Sequence, residues 1–209
     1  MSNAKFITIE GIEGVGKSTH MDRLVGHIKA HGHSVLTTRE PGGTPTAEYI
    51  RDVVLGHNDE NIPDIAELLL MFASRSLNVE NIIRPALLAG TWVVCDRFAD
   101  ASRAYQGGGR GIPMQHINTL ADWVLGDLRP DITILLDAPV DVGMSRTTRR
   151  GNPDRLDVER AEFYTRVRDC YLDLAKAEPE RFVIVDASGT LDEVGALIDE
   201  LATKILENK

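Results

Sequence analysis

Two rhythms of apolar residues alternate along the chain. Short runs rich in β-branched residues fall at 5–10 (KFITIE), 34–38, 92–95, 132–136 and 182–186, and each reads as a strand. Between them, apolar residues recur three and four positions apart, as Met21, Leu24, Val25 and Ile28 do, or Ile65, Leu68, Leu69, Phe72, Val79 and Ile83. That spacing predicts helices over 17–31, 46–55, 64–83, 113–125, 159–177 and 191–206, with another beginning at 140–146. The long helix at 64–83 is expected to bend or end near Pro85, and the glycines at 107–111 are expected to open a loop. Strands alternating with helices predict an α/β fold with a parallel sheet and crossover helices. No repeat, linker or low-complexity tail divides the chain, so residues 1–209 read as one domain.

Composition narrows the class. A chain of 209 residues with 43% hydrophobic content can bury its own core. No run reaches the roughly 18 apolar residues of a bilayer span, and no basic segment precedes an apolar leader, so a soluble cytoplasmic protein is expected. Cys95 and Cys170 are too few for a disulfide framework or a four-ligand zinc site. A net charge of −9 argues against a nucleic-acid polymer or an anionic membrane as partner. Yet the bases are 17 Arg against 6 Lys, several of them in loops. Codon bias explains that as readily as local anion sites gripped by planar guanidinium forks.

The chemistry starts at Gly11-Ile12-Glu13-Gly14-Val15-Gly16-Lys17-Ser18, which matches G-x-x-x-x-G-K-[ST] between a strand and a helix and is followed by Thr19. In that context backbone N–H groups and a helix N-terminus cradle phosphates, Lys17 neutralises charge, and the Ser18 hydroxyl ligates Mg²⁺. Asp96 ends an apolar strand, where an acid ordering magnesium-bound water belongs. No Asn-Lys-x-Asp run exists to read guanine, and Arg97 stands where a motor-type enzyme carries a second acid. These features point to a small phosphotransferase.

The residues that make the pattern specific are the Glu13-bearing phosphate loop, Arg39-Glu40-Pro41-Gly42-Gly43, Asp96-Arg97-Phe98, and Ser102-Arg103-Ala104-Tyr105-Gln106 before the glycine run. Together they resemble the thymidylate kinase family from the first strand to the last helix. The resemblance implies a P-loop fold with a five-stranded parallel sheet in the order 2-3-1-4-5, a homodimer, and phosphorylation of dTMP to dTDP with Mg²⁺-ATP. It implies that Arg39 and Arg97 hold the acceptor phosphate, Pro41 lines the pocket, Arg75 donates to thymine O4, Ser102 and Gln106 complete the base contacts, and Tyr105 leaves no room for a ribose 2′-OH. Glu13 is implied at the 3′-OH side of the acceptor sugar.

The chain departs from the family at the aromatic that stacks on thymine, because Met71 occupies that place and Phe72 follows it. Phe72 is expected to contribute with Met71 beside it. The phosphate loop has no base before Lys17, whereas 146–155 holds Arg146, Arg149, Arg150 and Arg155 with a net charge of +3. This resembles the bacterial subtype whose lid, here about 146–158, supplies the catalytic arginine. Arg155 is expected nearest the transferred group, then Arg150, with Arg146 on the ATP side. Another small kinase of this fold, or a nucleotide-dependent switch that has kept the loop, remains an alternative.

Overall fold

The computed structural model describes residues 4–56, 60–150 and 159–207, with backbone alone at 148–150. Five strands, β1 (Phe6–Glu10), β2 (Val35–Arg39), β3 (Trp92–Asp96), β4 (Ile132–Asp137) and β5 (Phe182–Asp186), form one parallel sheet in the order β2-β3-β1-β4-β5. The order agrees with the expectation. Successive side chains point to opposite faces, and two separate cores follow. Ile7, Ile9, Trp92 and Val94 face one core, built with helices α1 (Lys17–Ala30), α8 (Ala161–Ala177) and α9 (Leu191–Glu207). Phe6, Val93 and Cys95 face the other, with α3 (Asp64–Asn78) and α6 (Met114–Leu125). Helices on both faces explain why the central strands are buried on both sides.

The register decides what meets at the carboxyl edge. Arg39 pairs with Asp96, and Asp96 with Ile9, so three strands bring their carboxyl ends side by side. Open parallel sheets bind ligands at that edge.

The structure corrects three boundaries. First, the long helix runs past residue 83: it widens into a π-helical turn over Val79–Ile83 and continues as α4 (Arg84–Leu88), ending three residues after Pro85. The wide turn makes room for a proline that lacks an N–H and crowds the preceding turn. Second, Gly107, Gly108 and Gly109 open no loop. After α5 (Ala99–Ser102) they close a π-helical stretch, Arg103–Gly109. A Cβ on Gly108 would stand 2.7 Å from Cys170 Cβ and 2.9 Å from the Arg166 carbonyl, and one on Gly109 would strike the Phe163 ring. These glycines let α8 lie against the backbone. Third, α7 (Val140–Arg150) runs past residue 146 instead of giving way to breakers at 149.

α2 (Pro45–Leu55) starts on a side-chain cap, the Thr44 hydroxyl accepting from Ala47 N at 3.2 Å, with Pro45 in the first turn. α1 has no such cap. Its N-cap is Gly16 in the left-handed region at φ 86°, and its first turn holds no acid. The free N–H groups of that turn are thus open to an anion.

Candidate active site

A cleft of about 540 Å³ opens at the carboxyl edge between the phosphate loop, the loop after β2, α3, and the segment after β3. Its two ends are built differently. At one end the backbone of consecutive residues forms the wall. Ile12 and Val15 turn their side chains into the core, so the loop offers its peptide groups to the cleft. Gly14 has no alternative, because a Cβ there would collide with the Gly143 carbonyl of α7. Lys17 Nζ reaches back to the carbonyl oxygens of Gly11, at 3.2 Å, and Ile12, at 2.9 Å. Burial, followed by the nearby Arg97 cation, lowers the Lys17 pKa to about 8 against the pull of Asp96, Glu13 and Glu10. Ser18 and Thr19 are exposed at the mouth, and Asp96 stands across from them.

Asp96 Oδ1 is buried and has no hydrogen-bond partner. A buried carboxylate oxygen without a partner is costly, and a cation answers that cost. With the Ser18 hydroxyl in the same cleft, the donor set is hard oxygen, which suits Mg²⁺ shared with phosphate and water. Among the described residues no cluster of three His, Cys, Asp or Glu forms an all-protein metal cage.

The opposite end is a network of buried side chains. Residues 67, 71, 74, 75 and 78 recur three and four apart on α3 and present one face to the cleft side. Arg75 is 2% exposed. Its Nε donates to Glu40 Oε2 at 2.6 Å, Nη1 to Ser102 Oγ at 3.0 Å, and Nη2 to the Phe98 carbonyl at 2.9 Å. Three of its five N–H groups are used, which leaves two for a ligand. Asn78 Nδ2 donates to Glu40 Oε1, and Ser74 Oγ accepts from Gly42 N at 2.9 Å. Burial raises the Glu40 pKa even though Arg75 and Asn78 pull it down. Farther along the wall, Gln106 Nε2 donates to Glu67 Oε1 at 2.9 Å, and Arg110 bridges Glu67 and Glu159.

Arg97 joins the two ends. Its Nη2 meets Glu13 Oε1 at 2.7 Å, its Nη1 donates to the Gly11 carbonyl at 2.9 Å, and its guanidinium lies 4.7 Å from the centre of the Tyr105 ring. The Tyr105 hydroxyl donates to Glu13 Oε2 at 2.6 Å. Burial would raise the Glu13 carboxyl, but Arg97, Lys17 and the Tyr105 hydrogen bond outweigh it and hold the pKa below the ordinary value. Arg97 sits at φ 66°, among the described residues the one non-glycine with positive φ. Such backbone costs about 1–2 kcal/mol and persists only where surrounding bonds impose it.

Most residues singled out from the sequence share this cleft: Glu13, Lys17, Ser18, Arg39, Pro41, Arg75, Asp96, Arg97, Ser102, Tyr105, Gln106 and Arg146 all line it. One placement differs from expectation, and two others carry contacts that the sequence did not show. Met71 lines the cleft, whereas Phe72 lies behind it in the core, its ring centre 4.6 Å from the Arg75 guanidinium carbon. The one-residue rotation of about 100° separates them. Arg39 does not mirror Arg97: it is half exposed and pairs with Glu48 at 2.8 Å. Arg146 donates to the carbonyls of Ala187, Ser188 and Gly189, which ties α7 to the loop after β5. The backbone of Arg150 closes α7, and Arg155 lies outside the described residues.

Sequence reasoning passed over Glu40, Glu67, Asn78, Arg51 and Thr147. Arg51 and Thr147 line the cleft, and Arg51 donates to the Pro41 carbonyl at 2.9 Å. The available signal was the polar spacing Glu67, Ser74, Arg75, Asn78 within an otherwise apolar helix.

A family profile described as Thymidylate kinase matches residues 9–198. The thymidylate kinase of Pseudomonas syringae pv. syringae is 50% identical over 202 residues, 97% of this chain and 96% of that protein. That of Methylococcus capsulatus is 52% identical over 191 residues, 91% of each. A crystal structure of thymidylate kinase from Ehrlichia chaffeensis superposes with a TM-score of 0.76 at 33% identity, covering 97% of this chain and 98% of that one. With the phosphate loop and the buried arginine wall facing each other across one cleft, the chain belongs to the thymidylate kinase family.

Proposed function

We propose that the cleft aligns Mg²⁺-bound ATP and dTMP for in-line phosphoryl transfer, each end performing one half of the task. The family's reaction, ATP-dependent phosphorylation of dTMP to dTDP, is the reaction of this chain. The observation that carries the division of labour is Arg97, held between the Glu13 carboxylate and the Gly11 carbonyl where phosphate loop and acceptor wall meet.

Phosphoryl transfer leaves the protein little covalent work, so alignment and charge cancellation account for the rate. The backbone of residues 11–18 and the open N-terminus of α1 receive the donor phosphates. Lys17 moves from its own loop carbonyls to phosphate oxygen, and the arriving negative charge favours its protonated form. Ser18 and Asp96 would hold Mg²⁺, which when bound neutralises phosphate oxygens. Arg97 and Arg39 grip the acceptor phosphate; Arg39 exchanges its exposed Glu48 pairing for it. The attacking oxygen is already anionic, so no general base is required.

Arg75 offers its two remaining N–H groups to thymine O4. Cytosine presents an amino group there, so donor meets donor, and a buried group left unpaired discriminates strongly. Met71 forms the apolar floor under the base, Ser102 and Gln106 face its edge, and Tyr105 blocks a 2′-OH. Arg146 serves the ATP side, and Arg155, followed by Arg150, stabilises charge on the transferred group.

Two wider readings have support. Tyr49 and Val53 on α2 and Ile65 and Leu69 on α3, helices that pack together, leave a joint apolar surface, with Tyr49 72% exposed; this favours a homodimer, which equilibrium sedimentation tests. Among the described residues no helix is long and apolar enough to cross a membrane, in keeping with a cytoplasmic enzyme.

The test of function is ADP release with dTMP, dUMP, dCMP, dGMP and thymidine as acceptors, in the parent and in Arg155→Ala. Turnover should favour dTMP, and the variant should lose about 10²-fold in kcat with a smaller change in KM for dTMP. An unchanged kcat with a shifted KM removes Arg155 from the transition state.

A further inference from the structure

Two fully buried groups remain unused by this mechanism: the carboxylate of Glu10, last residue of β1, and the hydroxyl of Tyr171 on α8. Neither lines the cleft. Their hydrogen bonds nevertheless converge on Arg97. Glu10 Oε1 accepts from the backbone N–H of Phe98, the residue after Arg97, at 2.7 Å. Glu10 Oε2 accepts from the Tyr171 hydroxyl at 2.7 Å, and the oxygen of that hydroxyl accepts from Arg97 Nη1 at 3.3 Å. One carboxylate therefore holds both the peptide that follows the arginine and the phenol that touches its guanidinium.

We propose that Glu10 and Tyr171 are positioning residues that hold Arg97 in its strained backbone conformation, with its guanidinium aimed at the acceptor phosphate. The direction of the bonds supports this. Because Tyr171 spends its proton on Glu10, its oxygen lone pairs face Arg97. Glu13 and Tyr105 hold the other side of the guanidinium, but both belong to the cleft wall and are positioned to change partners when substrate enters. Glu10 and Tyr171 lie behind the wall, so their hold is independent of the ligand. A left-handed non-glycine needs such external bonds, since its own backbone preference opposes the conformation.

The inference rests on Arg97 as a ligand of the acceptor phosphate, and the experiment separates the two. Steady-state kinetics on full-length Tyr171→Phe and Glu10→Gln should show KM for dTMP raised about 5-fold and about 10-fold, with kcat and KM for ATP within about twofold of the parent. Tyr171→Phe removes one hydroxyl and conserves packing. Glu10→Gln keeps an acceptor for Phe98 N but turns an amide donor toward Tyr171. If one variant fails to fold, the other still carries the test. Arg97→Ala should raise KM for dTMP by itself, and adding Tyr171→Phe to it should change nothing further, because the residue being positioned is gone. Unchanged KM in the single variants, or full additivity in the double variant, overturns the positioning role while leaving Arg97 as ligand. If Arg97→Ala leaves KM for dTMP unaltered, the phosphate assignment fails and the inference falls with it.

Discussion

The two ends of the cleft reach similar chemistry by opposite means. The donor end is backbone: consecutive residues 11–18, glycines where a Cβ would collide, and an uncapped helix N-terminus. The acceptor end is side chain: Glu40, Ser74, Arg75, Asn78 and Ser102 come from three segments and bury their charges in one network. A backbone cradle grips any polyphosphate and is indifferent to the base. A buried side-chain wall can match one pattern of donors and acceptors, and it resists a wrong one because nothing inside relaxes to satisfy it. Rate should therefore reside in one end and stability with selectivity in the other.

Changes at each end should separate those quantities. Lys17→Met should have the largest effect on rate, lowering kcat about 10²- to 10³-fold, with dTMP affinity by calorimetry unchanged; an equal loss of dTMP binding would erase the distinction. Glu40→Gln should act on stability instead. It leaves the Arg75 cation buried opposite an uncharged group, a loss of up to about 3–5 kcal/mol, to be read from urea unfolding. Ser18→Ala, at the exposed mouth of the donor end, should stay within about 0.5 kcal/mol in the same measurement.

The pH dependences are smaller and also differ by region. Lys17 is lowered from 10.5 to about 8, so kcat/KM for ATP should fall as pH rises through about 8. The folded protein releases that proton before the unfolded chain does. The Lys17 contribution to stability therefore rises between about pH 8 and 10.5. Glu10 is raised from 4.5 to about 7 by burial, then by Asp100, against Arg97, Tyr171 and the Phe98 N–H. Here the folded state holds the proton longer, so this contribution to stability falls as pH rises from about 4.5 to 7. Glu10→Gln should flatten that limb in pH-dependent unfolding.

The same contrast explains what could be read from sequence. A site made by adjacent residues leaves a contiguous signature, and 11–18 is legible at once. The strands and their order are legible for a related reason: β-branched runs mark central strands, and the family resemblance supplied the order. The acceptor wall has no such signature. Arg75 could be named by resemblance, but its partner Glu40 lies 35 residues away, and only folding brings them to 2.6 Å. Phe72 illustrates a finer limit, since its aromatic ring favoured it while the family register and helical rotation put Met71 on the cleft. Gly108 and Gly109 misled because a glycine needed for helix contact resembles one needed for a turn.

The central claim is that Arg75, held by Glu40, chooses the base. It is tested most directly in the paired variant Arg75→Met with Glu40→Gln, which removes both buried charges together and so avoids stranding either one. With folding verified by circular dichroism, the measurement is the ratio of kcat/KM for dTMP to that for dCMP. The account predicts that the ratio narrows by about tenfold or more relative to the parent. A folded variant that keeps the parental ratio would contradict it.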